Sequence, residues 1–254
     1  MKARHITRPI AVAFAITGAI TGASFFSPVV SPASAAPCPD VEVIFARGSG
    51  EAPGVGGVGQ SFVDDLRSTL GPRTVDVYPV DYAASNDFND REALAGTVIA
   101  GVRDAGAHVQ STAANCPNTK IVLGGYSQGA VVAGYVTAAE VPAGVPAAVA
   151  PAPLPAAVGD HIAAVALFGK PSPAFLATYD APDLTIGPRY LSRTIDLCAP
   201  GDTICDGTPG GQPTFAHMSY GFGGMTAEAA GFVANRIAPA PQATDPLAAA
   251  QRTG

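Results

Sequence analysis

Ile121-Val122-Leu123-Gly124-Gly125-Tyr126-Ser127-Gln128-Gly129 is the stretch on which the reading of this chain turns. An apolar, β-branched run leads into a serine flanked by glycines, and a helix-like segment, 128–140, follows. Strand, tight turn and helix in that order form the setting that a nucleophile elbow needs. A serine at such a turn sits in a strained backbone conformation, and a side chain at Gly125 or Gly129 would crowd the neighbouring strand or helix. Its hydroxyl then projects above the edge of a sheet. Because the chain holds 29 glycines, the Gly-x-Ser-x-Gly pattern alone says little. The strand before it and the helix after it supply the specificity.

Outward from this stretch, apolar or β-branched runs recur at 41–46, 74–80, 162–168 and 190–197, making five strands with 120–125. The spacers hold helical segments at 59–70, 90–112, 128–140 and 227–237; Leu94, Val98, Ile99 and Val102 recur at helical spacing in the second. Such alternation predicts a parallel sheet covered on both faces, an α/β fold of three layers. The full 254 residues, 48% of them hydrophobic, suit one domain with an ample core. Segment 141–158, almost all Ala, Pro, Val and Gly, reads as a surface loop, because repeated proline forbids a regular helix or central strand. The Ala- and Pro-rich stretch 238–254 reads as a flexible tail.

The first nine residues carry Lys2, Arg4 and Arg8 and no acid, an uncharged and largely apolar stretch follows, and Ala33-Ser34-Ala35 offers small residues for cleavage. Residues 1–35 therefore read as a signal peptide, leaving a mature domain over 36–237; an uncleaved anchor is the alternative, disfavoured because Gly18, Gly22, Pro28 and Pro32 interrupt the stretch. The protein is expected to be secreted, without stable membrane insertion after cleavage. Export puts Cys38, Cys116, Cys198 and Cys205 where disulfides persist. Three pairings exist on paper; the short spacing of Cys198 and Cys205 favours a local loop and leaves Cys38 to Cys116. In the chain-entropy account the long loop contributes about 4 to 5 kcal/mol and the short one about half that. No Cys-x-x-Cys pair occurs, which argues against zinc. Removing the three leader cations from a net charge of −6 leaves −9, with no basic run, so nucleic acid and anionic membrane surfaces are poor partners.

A serine hydroxyl needs a base within hydrogen-bond reach, and α/β-hydrolase order places an acid and then a histidine downstream. Two histidines follow Ser127. His161 stands at the entry end of a strand, while sites in open parallel sheets form at the carboxyl ends, so it reads as a surface residue, as does His108. His217, between the last strand and the last helix, is the candidate base. Asp202, inside the short cysteine loop, is the favoured orienting acid; Asp196 and Asp206 are its rivals. The backbone N–H of Gln128 would serve an oxyanion, with a second donor from the loop Arg47-Gly48-Ser49-Gly50-Glu51, which reads equally well as a plain glycine turn.

Gly-Tyr-Ser-Gln-Gly at 125–129, Arg-Gly-Ser at 47–49 and an acid in a short cysteine loop before the histidine together resemble the cutinase family, most closely its actinobacterial branch, over roughly 37–237. The resemblance implies an α/β-hydrolase with a five-stranded parallel sheet and no large lid, and bridges Cys38–Cys116 and Cys198–Cys205. It also implies Ser127, His217 and Asp202 as catalytic residues, Ser49 with Gln128 as the oxyanion hole, and no metal or cofactor. The implied activity is hydrolysis of carboxylic esters by a monomer, with short- to medium-chain acyl esters as the expected substrates and cutin and lipid esters as the wider range of the family. An acetylxylan esterase and a catalytically idle cell-envelope binding protein are the competing readings. Segment 141–158 departs from the pattern, being longer than the connection expected in the fungal enzymes.

Overall fold

The structure, a computed structural model, describes residues 37–237. The proposed signal peptide and the C-terminal tail lie outside the described residues. Five strands, β1 (Val41–Ala46), β2 (Val75–Pro79), β3 (Lys120–Tyr126), β4 (Ile162–Phe168) and β5 (Thr194–Leu197), pair in parallel in the order β2-β1-β3-β4-β5. Side chains alternate between the faces of a strand, so Val43 and Phe45 pack on one side with Val122, while Ile44 and Ala46 pack on the other with Leu123. Helices α1 (Gly56–Leu70) and α6 (Met225–Ile237) cover the first face through Phe62, Leu66 and Val233. Helices α2 (Arg91–Asn115) and α3 (Gln128–Val136) cover the second through Val102, Val109 and Val132. Burial on both faces is why the central strands appear as largely apolar runs, with Glu42 in β1 and Lys120 at the start of β3 as the charged positions.

From β1 the chain passes to β2 on one side, then returns to β3 on the other, so the strand order reverses between β1 and β3. In open α/β sheets the crevice at that reversal, beyond the strands' carboxyl ends, is where ligands bind. Both the loop after β1 and the turn after β3 open there. Cys38 pairs with Cys116, fastening the entry to β1 onto the end of α2, and Cys198 pairs with Cys205 just past β5. Among the described residues no helix is long and apolar enough to cross a membrane.

The structure corrects several boundaries. The 190–197 run is strand only from Thr194, which pairs with Val165; Leu191–Arg193 coil into a 3₁₀ turn, and the Arg193 guanidinium donates to the Ile162 carbonyl of β4 at 2.9 Å. Helix α3 ends at Val136, short of residue 140, where the Gly187 N–H takes the Thr137 carbonyl at 3.0 Å and brings another loop across its path. Segment 141–158 is not loop throughout, since α4 (Ala156–Gly159) starts directly after Pro155. A further short helix, α5 (Pro173–Thr178), went unread, although Ser172 caps the Phe175 N–H and Pro173 occupies the first turn.

Candidate active site

Ser127 sits between β3 and α3 with φ 53° and ψ −117°, the left-handed region that a non-glycine residue avoids. Such a residue costs about 1–3 kcal/mol and persists only where its surroundings dictate it. Here the Ser127 N–H donates to the Phe168 carbonyl at the end of β4, at 2.9 Å. A Cβ at Gly125 would lie 2.1 Å from the Gly129 carbonyl oxygen, and one at Gly129 would lie 1.9 Å from that of Ala46. The elbow is therefore a close approach of backbone to backbone that only glycine allows.

His217 reaches Ser127 from the 3₁₀ turn Ala216–Met218. Its Nε2 is 3.0 Å from Ser127 Oγ and its Nδ1 is 2.8 Å from Asp202 Oδ2. Asp202 is fully buried, and an isolated buried carboxylate would be costly. Its oxygens are satisfied by His217, by the Ile204 N–H at 3.0 Å and by the Tyr220 hydroxyl, which donates at 2.6 Å. The same hydroxyl accepts from the Ala199 N–H at 2.9 Å, tying the start and the middle of the Cys198–Cys205 loop to one side chain. Burial first, and then the hydrogen bond to Asp202, push the Tyr220 phenol far above its usual range, so it remains a donor. Tyr126 packs its ring 5.2 Å from that of His217 and donates its hydroxyl to the His217 carbonyl at 2.6 Å.

Across from the elbow, the loop after β1 is clamped. The buried Arg47 guanidinium donates to the Glu51 carbonyl at 2.9 Å and the Tyr82 carbonyl at 2.6 Å, and Tyr82 returns its hydroxyl to the Arg47 carbonyl. Glu51 accepts from the Gly48 N–H at 2.6 Å and the Gly57 N–H at 2.8 Å. This holds Ser49 against the cleft that Ser127, Gln128 and His217 also line. As the first residue of α3, Gln128 has a backbone N–H without an intrahelical acceptor, beside the positive end of the helix dipole. Its side-chain amide donates to the Ser85 carbonyl at 3.1 Å, drawing the loop after β2 to the site.

The residues weighed against these lie elsewhere. Asp196 pairs with Lys170 at 3.2 Å; burial raises its pKa and the lysine opposes that. Asp206 accepts from the Thr208 N–H at 2.8 Å, and bonds from Thr208 lower its pKa. His161 borders a small hollow with Lys120 and Arg193, beside the start of β3 and away from the strands' carboxyl ends. His108 is not a bare surface residue: it stacks on Tyr78 at 3.5 Å and meets Glu42 at 2.9 Å, joining α2 to the sheet. Cys198, Asp202 and Cys205 cluster as metal ligands would, but the two sulfurs are bonded to each other and the carboxylate is engaged. Sequence reasoning missed Tyr220 and the Arg47–Glu51 clamp. Neither carries a periodic signal, whereas Tyr126 stood inside the serine motif unread.

A cleft of about 1030 Å³ extends from Ser127 and His217 past Phe175 and Leu176 to Leu94 and Val98 on α2. Its walls are largely apolar side chains.

Residues 37–237 match the family described as Cutinase. The chain is 45% identical over 239 residues to Carboxylesterase Culp1 of Mycobacterium tuberculosis, covering 93% of this chain and 98% of that one. It is 43% identical over 235 residues to Phospholipase Culp4 of the same organism, covering 92% and 93%. Among solved structures, a Trichoderma reesei cutinase in complex with a C11Y4 phosphonate inhibitor superposes with a TM-score of 0.58 at 30% identity, over 80% of this chain and 78% of that one.

Proposed function

Because this chain belongs to the cutinase family and is a carboxylic ester hydrolase, we propose that it cleaves acyl esters through an acyl-enzyme on Ser127. The observation that carries the reading is the continuous hydrogen-bonded chain from Ser127 through His217 to the buried Asp202, at 3.0 and 2.8 Å. His217 Nε2 takes the Ser127 proton as Oγ attacks the ester carbonyl. The oxyanion is held by the backbone N–H of Gln128 at the start of α3 and by Ser49 in the loop after β1. His217 then gives the proton to the leaving alcohol. Water, activated by the same imidazole, attacks the acyl-enzyme, releases the acid and returns Ser127 to its starting state. Asp202 fixes the imidazole tautomer and stabilises its cationic form, and Tyr220 holds Asp202.

The apolar lining of the cleft favours an acyl chain over the polar groove that an acetylated polysaccharide needs, and the assembled Ser–His–Asp chain speaks against an idle binding protein. The two disulfides and the leader-like 1–35 segment support export. The test compares wild type with Ser127→Ala on aryl esters and with a fluorophosphonate probe. Joint loss of turnover and labelling in the variant is expected; a folded wild type that neither turns over nor labels would refute the mechanism.

A further inference from the structure

Helix α2 and the Ala- and Pro-rich segment after α3 face each other across the far half of the cleft. Leu94, Val98 and Gly106 line it from the helix, and Val145, Pro151 and Leu154 line it from the segment. The segment is fastened in place. The Arg103 guanidinium donates to the Val149 carbonyl at 2.6 Å, and Leu154 packs against the core beneath α2. At the other end, Arg91 pairs with Asp180 and donates to the Thr178 carbonyl at 3.3 Å, joining the first turn of α2 to the loop after α5. Tyr135 adds a hydroxyl bond to the Pro182 carbonyl at 2.5 Å. A segment held to the helix by an arginine and a packed leucine forms a wall.

The direction of this channel follows from the topology. α2 leaves the sheet at the carboxyl ends of the strands, where Ser127 lies, and runs back toward their amino ends. Lining residues from Leu94 to Gln110 therefore lead away from Ser127. At 1.5 Å rise per residue they span about 24 Å. A carbon chain with bonds of about 1.5 Å at near-tetrahedral angles advances about 1.25 Å per carbon, so about nineteen carbons fill that length. The volume, about 1030 Å³, stands at the upper end for small-molecule sites, so length and not width limits the occupant.

We propose that this cleft is an acyl channel seating one linear chain of about 16 to 19 carbons, which makes long-chain fatty acyl esters the preferred substrates. The inference rests on Ser127 being the acylated residue, since the ester carbonyl must stand at the mouth while the chain lies along α2. Each fully buried methylene strengthens binding by up to about fourfold. A gain of at least about tenfold in kcat/KM from octanoyl to palmitoyl esters is therefore expected, even with part of the chain wetted.

The experiment measures kcat/KM on aryl esters of four to eighteen carbons in a non-ionic detergent dispersion, for wild type, Gly106→Phe and Arg103→Ala. In parallel, calorimetry follows palmitate and octanoate binding to Ser127→Ala protein. A Cβ at Gly106 meets nothing closer than Leu154 Cδ2 at 4.0 Å, so the phenyl ring enters open channel and not the core. Gly106 stands four residues before Gln110, about 6 Å, so blocking there should shorten the optimal chain by about five carbons. Arg103→Ala frees the wall and should flatten the length profile. A flat or falling wild-type profile with normal fluorophosphonate labelling overturns the channel and leaves the esterase mechanism standing. So does a Gly106→Phe variant that scales all chain lengths by one factor. Palmitate binding tighter than octanoate in Ser127→Ala protein, with no ester turnover by wild type, supports the channel and refutes the mechanism.

Discussion

Replacing Tyr220 by Phe isolates the support given to the buried acid. The phenyl ring keeps its packing against Tyr126 and Phe168, at centroid distances of 5.8 and 6.3 Å, so the change removes one oxygen and leaves the core filled. Two strong interactions disappear with it, the 2.6 Å bond to Asp202 and the 2.9 Å bond from the Ala199 N–H, together with a weak contact to Cys205 Sγ at 3.3 Å. A hydrogen bond to a charged group contributes about 1.5–3 kcal/mol, and a buried N–H left without an acceptor costs about 1–3 kcal/mol. Taking the lower part of each range, the variant loses about 3 kcal/mol. A domain of this size shifts by about 2–4 °C per kcal/mol, so its melting temperature should fall by about 6–12 °C. Asp202 keeps His217 and the Ile204 N–H, so turnover should drop by about tenfold, far less than the loss of about 10⁴ seen when a triad acid is made neutral. Thermal melts followed by circular dichroism, with ester kinetics on the same samples, provide the measurement. A melting temperature within about 2 °C of wild type would refute the claim that this hydroxyl bears on the acid loop.

Replacing Cys198 and Cys205 together by Ser should cost about 2.5 kcal/mol from loop entropy and lower kcat more than KM changes, because the loop that carries Asp202 loosens; denaturant melts and steady-state kinetics read the two effects. Gly129→Ala drives a Cβ to 1.9 Å from the Ala46 carbonyl and should abolish fluorophosphonate labelling or soluble expression, whereas unchanged labelling would show that the elbow can relax. Asp40 has its pKa lowered from 3.8 by the Thr74 N–H and hydroxyl, so its contribution is present above 3.8 and is lost as pH falls through the lower folded value. Asp40→Asn should therefore flatten the acid limb of stability against pH, and parallel acid limbs in thermal melts would exclude that contribution.

What the sequence determined by itself was whatever depends on near neighbours along the chain. A strand buried on both faces is apolar at most positions, so β1, β3 and β4 stood out as runs despite Glu42 in β1 and Lys120 at the start of β3. The elbow was legible because its steric demand falls on Gly125 and Gly129, each two residues from Ser127. The choice of Asp202 over Asp196 rested on a cysteine loop closed within a few residues. Tertiary structure alone decided what depends on partners far apart in sequence. Tyr220 reads as one more core aromatic until Asp202 and Ala199 are brought to its hydroxyl, and Arg47 as one more loop cation until Tyr82 comes beneath it. The edge strand β5 began late where Leu191–Arg193 coil into a 3₁₀ turn and a side chain, Arg193, takes the Ile162 carbonyl of β4, and α3 stopped early where a distant loop crosses it. Segment 141–158 has a proline-rich composition that reads as loop, although α4 begins within it at Ala156, and composition does not say where the chain lies. Its role as the wall of the cleft comes from Arg103 and α2, neighbours that only the folded sheet supplies.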